Sequence, residues 1–553
     1  MTSWQIRPAE PQQAGALAAA AGLHPLTAQL LLHRGMSTPA QAFQFLHPSV
    51  RALESPRALP DLPEAVERLR RAIAAREPIL IFSDSDVDGM TASVILYEAL
   101  RGEGAAVRAV QSNRIADGYG MPESLVRELC GSSTKILILV DCGTNQADAV
   151  RRLGEQGIET IIVDHHVPLE GWARPAALIN PHRDQAFRSA QGLCSAGLAL
   201  KLAQGLFGDG AEERLAPYLD LAALGTLADC APLLGDNRAI VVSGLARLLH
   251  SDRHGLRRLC EATDTREPVP EQILRRLVPR LNASGRLGRC EAVWHLLQRG
   301  APEGMDAWMD AAETAHDTTK QLHRQTMAQA EEQISRMHFR GQYVMLVSRP
   351  GWHQGLMGPL ASQLAERYGR PAIAIAMQER HGVGSGRSIP MFNLLEALTV
   401  CQDLLVRFGG HAQACGLTID RANLEPLRTL LNERAAESLR RPGVATVRLI
   451  DLELPLDAIE PRWVEELEGF APFGQGNPRP TVLVRDVTID AVSPRIGVMR
   501  DGVRSVRVKG SLPQDGAGAR YDVVLTPTVA DGELILTLTD AKGSEALSAQ
   551  GRI

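Results

Sequence analysis

A chain of 553 residues with 44% hydrophobic and 22% charged side chains has apolar material for several cores, and its length suits three or four domains. A formal net charge of −5 excludes a uniformly basic nucleic-acid coat, so a polyanion partner would have to be met by a local basic groove. No apolar run reaches the ~20 residues that span a bilayer, the N-terminal MTSWQIRPAEPQQ lacks a secretory pattern, and the 8 cysteines are scattered without a C-x-x-C pair, as expected of free thiols in a reducing cytoplasm.

Residues 1–55 read as small helices broken by proline, an N-terminal extension expected to pack on the next domain. Residues 56–300 alternate strand-like runs with amphipathic segments, an α/β pattern. PILIF (78–82) runs into SDSDVDG with Asp84, Asp86 and Asp88, and ILILV (136–140) runs into Asp141. ETIIV (159–163) runs into Asp164-His165-His166, and the apolar LAALGTLA (221–228) ends at Asp229. Ligands of open α/β sheets bind at the carboxyl ends of the strands, and carboxylates with imidazole suit a divalent ion. Taken alone, DSDVDG is a surface Asx turn or calcium-like loop, and a strand-end His pair is as readily a loop anchor. Four such segments together predict a two-ion site: Asp86 and Asp88 each facing one ion, Asp141 bridging, His165 giving nitrogen and Asp229 closing the site. Asp84 is a further candidate ligand, and His166 is expected to touch substrate or move a proton.

Residues 301–340 predict one long connecting helix, since 303–337 holds no proline and is rich in Ala, Gln and Glu. Residues 341–440 return to α/β alternation, and residues 441–553 hold short strand-like runs between turns, an all-β barrel or sandwich. Candidate substrate contacts are spread over these parts. Arg114 and Tyr119 in RIADGYGM offer a phosphate contact and a base-stacking platform. Arg280, Asn282 and Arg286 lie in PRLNASGRLG, read as a small-residue turn between phosphate-gripping arginines. Trp352-His353 either stacks on a base or anchors a helix. Arg387 and Ser388 in GSGRSI, and Gly409, Gly410 and His411 in FGGHAQACG, suggest donors and free backbone around an anion.

In this order, DSDVDG, RIADGYGM, LVDCGT, VDHHVP, LGTLADCAPL and PRLNASGRLG resemble the motifs of the DHH phosphoesterases, and more closely of the RecJ-type single-strand-specific exonucleases. GWHQGLMGPLASQLAERYGRPAIAI, GSGRSI and FGGHAQACG are similar to the DHH-associated domain, and PFGQGNPRP (472–480) looks like the entry to an oligonucleotide-binding barrel. The resemblance implies two α/β domains joined by a long helix around a cleft, with an OB-like module at the C-terminal end. It also implies two Mn²⁺ or Mg²⁺ ions and 5′-to-3′ hydrolysis of single-stranded DNA in repair and recombination. A monomer is expected, with a single-strand-binding protein and a helicase as partners. The alternatives are a DHH phosphoesterase acting on short oligonucleotides or nucleotide phosphates, and a non-catalytic scaffold that has lost its ligands. Two departures stand out: Ser85 occupies a place the family usually gives to an aromatic, and beyond Phe473 the only aromatic is Tyr521. Arg495, Arg500, Arg504, Arg507 and Lys509 offer that last module a phosphate-tracking surface instead.

Overall fold

The computed structural model describes residues 3–183, 192–208, 210–300, 303–337, 342–439, 447–513, 518–530 and 532–544. The boundaries expected at 301, 341 and 441 fall outside them.

Five parallel strands form the first sheet, in the order Val107–Gln111, Ile79–Ser83, Ile136–Val140, Glu159–Val163, Ala177–Ile179. Alternation divides their side chains between two cores: Ile79, Ile81, Ile136 and Ile138 pack on one face, and Leu80, Phe82, Leu137 and Leu139 on the other. Helices Val87–Gly102, Ser195–Phe207 and Leu219–Ala228 cover the first face, and Glu123–Cys130 and Ala147–Glu155 cover the second. The chain leaves Ile79–Ser83 for one neighbour and returns to the other side at Ile136–Val140. The strand order therefore reverses between the strand ends that carry Asp84 and Asp141, where such sheets bind ligands. The apolar LAALGTLA is helical, and Asp229 caps its carboxyl end.

Helix Met305–Ser335 spans 31 residues, about 46 Å at 1.5 Å per residue. Met309 and Ala312 near its start lie in the first domain's core, whereas Met327, Ala330 and Ile334 near its end lie in the second's. The second sheet has the order Leu405–Gly410, Ala414–Asp420, His381–Arg387, Ala372–Met377, Met345–Pro350, with only the last pair parallel. At the C-terminal end, Val482–Ser493, Ile496–Arg500, Ser505–Gly510, Glu533–Gly543 and Arg520–Ala530 close into a five-stranded barrel, sealed by the first pairing with the last. No single helix among the described residues is long and apolar enough to cross a membrane.

The N-terminal segment corrects the sequence reading. Strand Ser3–Ile6 pairs with Val447–Ile450, and Leu17, Leu30, Leu31 and Phe45 share a core with Leu456, Trp463 and Phe470. These helices complete the C-terminal module; their apolar faces match a core that lies more than 400 positions away, which local pattern cannot reveal. Arg238 fastens this body to the first domain. It is 1% exposed, and its guanidinium donates to the carbonyls of Phe45 (2.7 Å), Gly469 (2.8 Å), Phe470 (2.9 Å) and Ala471 (2.7 Å) over the Phe45 ring. No acid pairs with it among the described residues; burial, with the Arg34 charge, lowers its pKa to about 10, and the carbonyl oxygens must hold the charge. Arg238→Met keeps the volume and strands four acceptors. It should lower stability by about 3 kcal/mol, read as an earlier midpoint in urea, and an unchanged midpoint would deny Arg238 this role.

Candidate metal centre

Three of the acids are placed by the sheet ladder itself. Ser83, Val140, Val163 and Ile179 end their strands in register. The next residues continue the ladder: Asp84 N–H donates to Val140 O (3.1 Å), Asp141 N–H to Val163 O (3.0 Å) and Asp164 N–H to Ile179 O (3.2 Å). Asp141 has a φ of 60°, a left-handed conformation that Asp tolerates better than most side chains. Asp86 caps helix Val87–Gly102 by accepting from Gly89 N–H at 3.1 Å. Asp88, in the first turn of that helix, accepts from the amides of Ser195 and Ala196, both at 2.8 Å, at the start of helix Ser195–Phe207.

The ligand atoms fall into overlapping groups, each within 4.8 Å: Asp84 with Asp86 and Asp141; Asp88 with His165 and Asp229; and Asp141 with His165 and His166. His165 Nε2 lies 3.3 Å from Asp141 Oδ1, and Nδ1 lies 3.7 Å from Asp229 Oδ2. Asp141 thus belongs to both sides. Burial, then the charges of Asp86 and Asp88, push its carboxyl well above the usual range. Burial and Asp88 raise Asp229 to about 7. Burial alone would lower His165, but Asp141, Asp229 and Asp88 outweigh it and hold the imidazole well above its ordinary value. Hard oxygen donors, one imidazole and this mutual repulsion fit two Mn²⁺ or Mg²⁺ ions.

Asp164 answers why the strand ends in Asp-His-His. It is 1% exposed, accepts from Thr144 N–H (3.1 Å) and from His166 N–H (3.2 Å), and lies 2.7 Å from His166 Nδ1. Burial would raise its pKa, but the His166 imidazole outweighs this and holds it well below the usual carboxylate range. Asp164 therefore orients His166, while His165 faces the acids. Asn180 adds a brace by donating to His166 O (2.8 Å) and Thr144 Oγ1 (3.0 Å).

The second domain meets this edge. The His411 ring stacks on His166 with centroids 6.2 Å apart, and Gln354 donates to Ile115 O. Arg286 and Arg387 are half-buried, and burial lowers both, helped by the nearby Arg114 charge. Neither has a carboxylate in ion-pair contact among the described residues.

Several expected substrate contacts sit elsewhere. Arg280 pairs with Glu313 of the long helix at 3.0 Å, and PRLNASGRLG is mostly helix, Val278–Arg286, rather than a turn. Asn282 accepts from Val87 N–H at 3.1 Å, so it holds the Asp86 loop. Arg114 is bound to Asp84 and to Asp86 (2.9 Å), which makes it a counter-charge to the acids. Trp352 is 8% exposed and donates to Gln329 of the long helix at 2.7 Å, so it anchors rather than stacks. His353 Nδ1 accepts from Gly355 N–H at 3.3 Å. Ser388 donates to Phe392 O at 2.6 Å, and it is Ser385 that touches Arg387, at 3.0 Å. Gly384 and Gly386 lie inside a paired strand, where a Cβ would strike Ile375 and Leu394; they serve packing, not an anion. Gly410, with φ 136°, makes the hairpin turn before His411, and Gly409 is open to the surroundings. Tyr119 is 50% exposed, but its hydroxyl is engaged by Asp141 O (3.2 Å) and His166.

Comparison with known proteins agrees with this geometry. Family models match in sequence: the DHH family N-terminal domain at residues 78–226, the DHHA1 domain at 340–437 and the RecJ OB domain at 450–506. The single-stranded-DNA-specific exonuclease RecJ of Dickeya dadantii is 33% identical over 484 residues, 82% of this chain and 82% of its own. This chain belongs to the RecJ family. The Bacillus subtilis protein of the same name is 33% identical over 507 residues, and the match spans 91% of this chain and 64% of that protein's length. Among solved structures, Thermus thermophilus RecJ in complex with Mn²⁺ matches with a TM-score of 0.83 at 28% identity, covering 98% of this chain and 79% of that one. The complex with Mg²⁺ gives 0.75 at 26% identity, covering 98% and 78%.

Within this RecJ site, sequence reasoning missed Ser195, Asn180, Thr144 and the orienting role of Asp164. Only Asp164 carried a signal, its place beside the His pair. Asp141→Asn tolerates the left-handed backbone and removes the shared charge. It should abolish tight binding of both Mn²⁺ ions in calorimetry while leaving thermal stability in EDTA unchanged or higher, since it relieves repulsion. Retention of two tight ions would refute the bridge.

Proposed function

We propose that this chain is a divalent-metal-dependent exonuclease that hydrolyses phosphodiester bonds of single-stranded DNA from the 5′ end. The observation that carries the reading is Asp141, shared between a carboxylate group with Asp84 and Asp86 and a carboxylate–imidazole group with His165 and His166, opposite His411 of the second domain. Two bound divalent ions would supply charge neutralisation at the phosphate and an acidified water. Asp84, Asp86 and Asp141 would hold one ion, and Asp88, His165 and Asp229 the other, with Asp141 reaching both. His166, oriented by Asp164, moves a proton or donates to a phosphate oxygen beside the metals. Arg286 on the metal-bearing domain, and Arg387 and His411 from across the cleft, grip the phosphates of the strand. Polarity and the role in repair and recombination follow from family likeness.

Single-strand preference has a physical basis. Unpairing a duplex costs ~1.4 kcal/mol per base-pair step, and the chain carries no G-x-x-x-x-G-K-[ST] loop to draw that from ATP. A helicase and a single-strand-binding protein are therefore fitting partners, and a monomer working in the cytoplasm fits the free cysteines. The barrel favours long strands over the short oligonucleotides or nucleotide phosphates of smaller DHH phosphoesterases.

End-labelled oligonucleotides with Mn²⁺ test the reading. A single strand should lose nucleotides from its 5′ end while blunt duplex stays nearly intact; equal attack on duplex, or release from the 3′ end first, would overturn it. Binding should weaken with salt, and Arg286→Ala should reduce the log–log slope by about 0.7, one phosphate's share for a single strand. An unchanged slope would remove Arg286 from the phosphate path. His411→Ala should weaken oligonucleotide binding about tenfold, the worth of one charged hydrogen bond, and leave Mn²⁺ titration unaltered. A loss of metal affinity instead would place His411 among the ligands.

A further inference from the structure

Beneath the ligand cluster lies a residue that touches both halves of it and belongs to neither. Ser195 is 0% exposed and opens helix Ser195–Phe207, whose preceding residue, Cys194, supplies no side-chain cap. Its hydroxyl donates to Asp141 Oδ1 at 2.9 Å, and its amide donates to Asp88 Oδ2 at 2.8 Å. The Ala196 amide takes the other oxygen of Asp88, at 2.8 Å. The same Asp141 Oδ1 lies 3.3 Å from His165 Nε2, so the hydroxyl fixes the oxygen that faces the Asp88–His165–Asp229 side. The hydroxyl thereby holds one oxygen of Asp141, and the other is left for an ion shared with Asp84 and Asp86. Asp88 has no freedom either: a Cβ on Gly225 would come within 2.9 Å of its Oδ1, so the helix Leu219–Ala228 walls it against the Ser195 amide.

Asp88 and Asp141 come from different parts of the fold, one from a helix and one from a strand end. Left to themselves, two buried carboxylates would turn apart. One residue that donates to both holds them at a set separation, as an ion pair of fixed spacing requires.

We propose that Ser195 is a positioning residue that sets Asp141 against Asp88 and thereby the affinity for the paired divalent ions. The proposal rests on the two-ion reading but not on the substrate. Ser195→Ala removes only the hydroxyl bond and keeps both amide bonds to Asp88. Partners that orient metal ligands are worth 10–100-fold in metal affinity, so titration of the full chain with MnCl₂ alone should show a loss of at least tenfold. Oligonucleotide KM should not change, because Ser195 does not reach the cleft. The kcat should fall at limiting Mn²⁺ and recover largely at saturating Mn²⁺. Ser195→Thr, which keeps a hydroxyl, should restore the affinity.

Circular dichroism and melting in EDTA report folding separately from these readouts. A folded Ser195→Ala that binds Mn²⁺ as tightly as the parent overturns the proposal. An equal loss in Ser195→Thr overturns it too, since packing rather than the hydroxyl would then be responsible. Failure of the nuclease reading looks different: Mn²⁺ would bind normally to the parent chain and single-stranded DNA would stay whole.

Discussion

Crowding of negative charge at one edge of a parallel sheet is the constraint on which the rest of the structure turns. Asp84, Asp86, Asp88, Asp141 and Asp229 converge there, with Asp84, Asp88 and Asp141 buried and Asp86 and Asp229 nearer to solvent. Buried like charges repel strongly and are tolerated only with compensation. The fold supplies that compensation in layers. Asp88 takes two amides of a helix start, Asp84 takes the Ser112 hydroxyl (3.0 Å) and Arg114, and Asp141 takes Ser195. What these donors leave unmet is a demand for cations, and the donor set makes that demand specific for hard divalent ions.

The second domain is arranged with respect to the same edge. The long helix is rooted in the first core at Met309 and Ala312 and in the second at Ile334, so it is a strut rather than a tether. It fixes the spacing at which His411 meets His166 and Arg387 meets Arg286 and Arg114. Arg280 and Trp352 serve the strut itself, through Glu313 and Gln329. A change at either would act on the width of the cleft before it acted on any phosphate.

The convergence of acids and imidazoles was legible because a continuous apolar run that stops at Asp has few structural reasons to do so, and three strand ends and one helix end stop this way at one edge. Periodicity showed two α/β stretches and an all-β module, barrel or sandwich; the two-domain cleft and the barrel were implied by the family resemblance. The arginines were not legible. Arg114, Arg280, Arg286 and Arg387 look alike in sequence, yet two are bound to carboxylates brought by distant segments and two are not. A guanidinium's role depends on what lies 4 Å away, which local pattern does not encode. The N-terminal helices failed similarly, since their partner core is built from the other end of the chain. Ser195 left no trace because a hydroxyl in a small-residue run is indistinguishable from packing until the acids are around it.

At the site five carboxylates outnumber the positive groups set against them, Arg114 and the His165 imidazole, so it is negative without metal. Two divalent ions would bring four positive charges to that spot and offset that charge. Arg286 and Arg387 have no carboxylate in ion-pair contact among the described residues, so their charge is available to a phosphate. A phosphate arriving with metals in place meets positive charge from both walls of the cleft, while the same phosphate at an apo site meets five crowded acids. Metal occupancy and strand binding are therefore linked through charge alone: each should favour the other, with reciprocal free energies, and the salt dependence of strand binding belongs to the loaded protein.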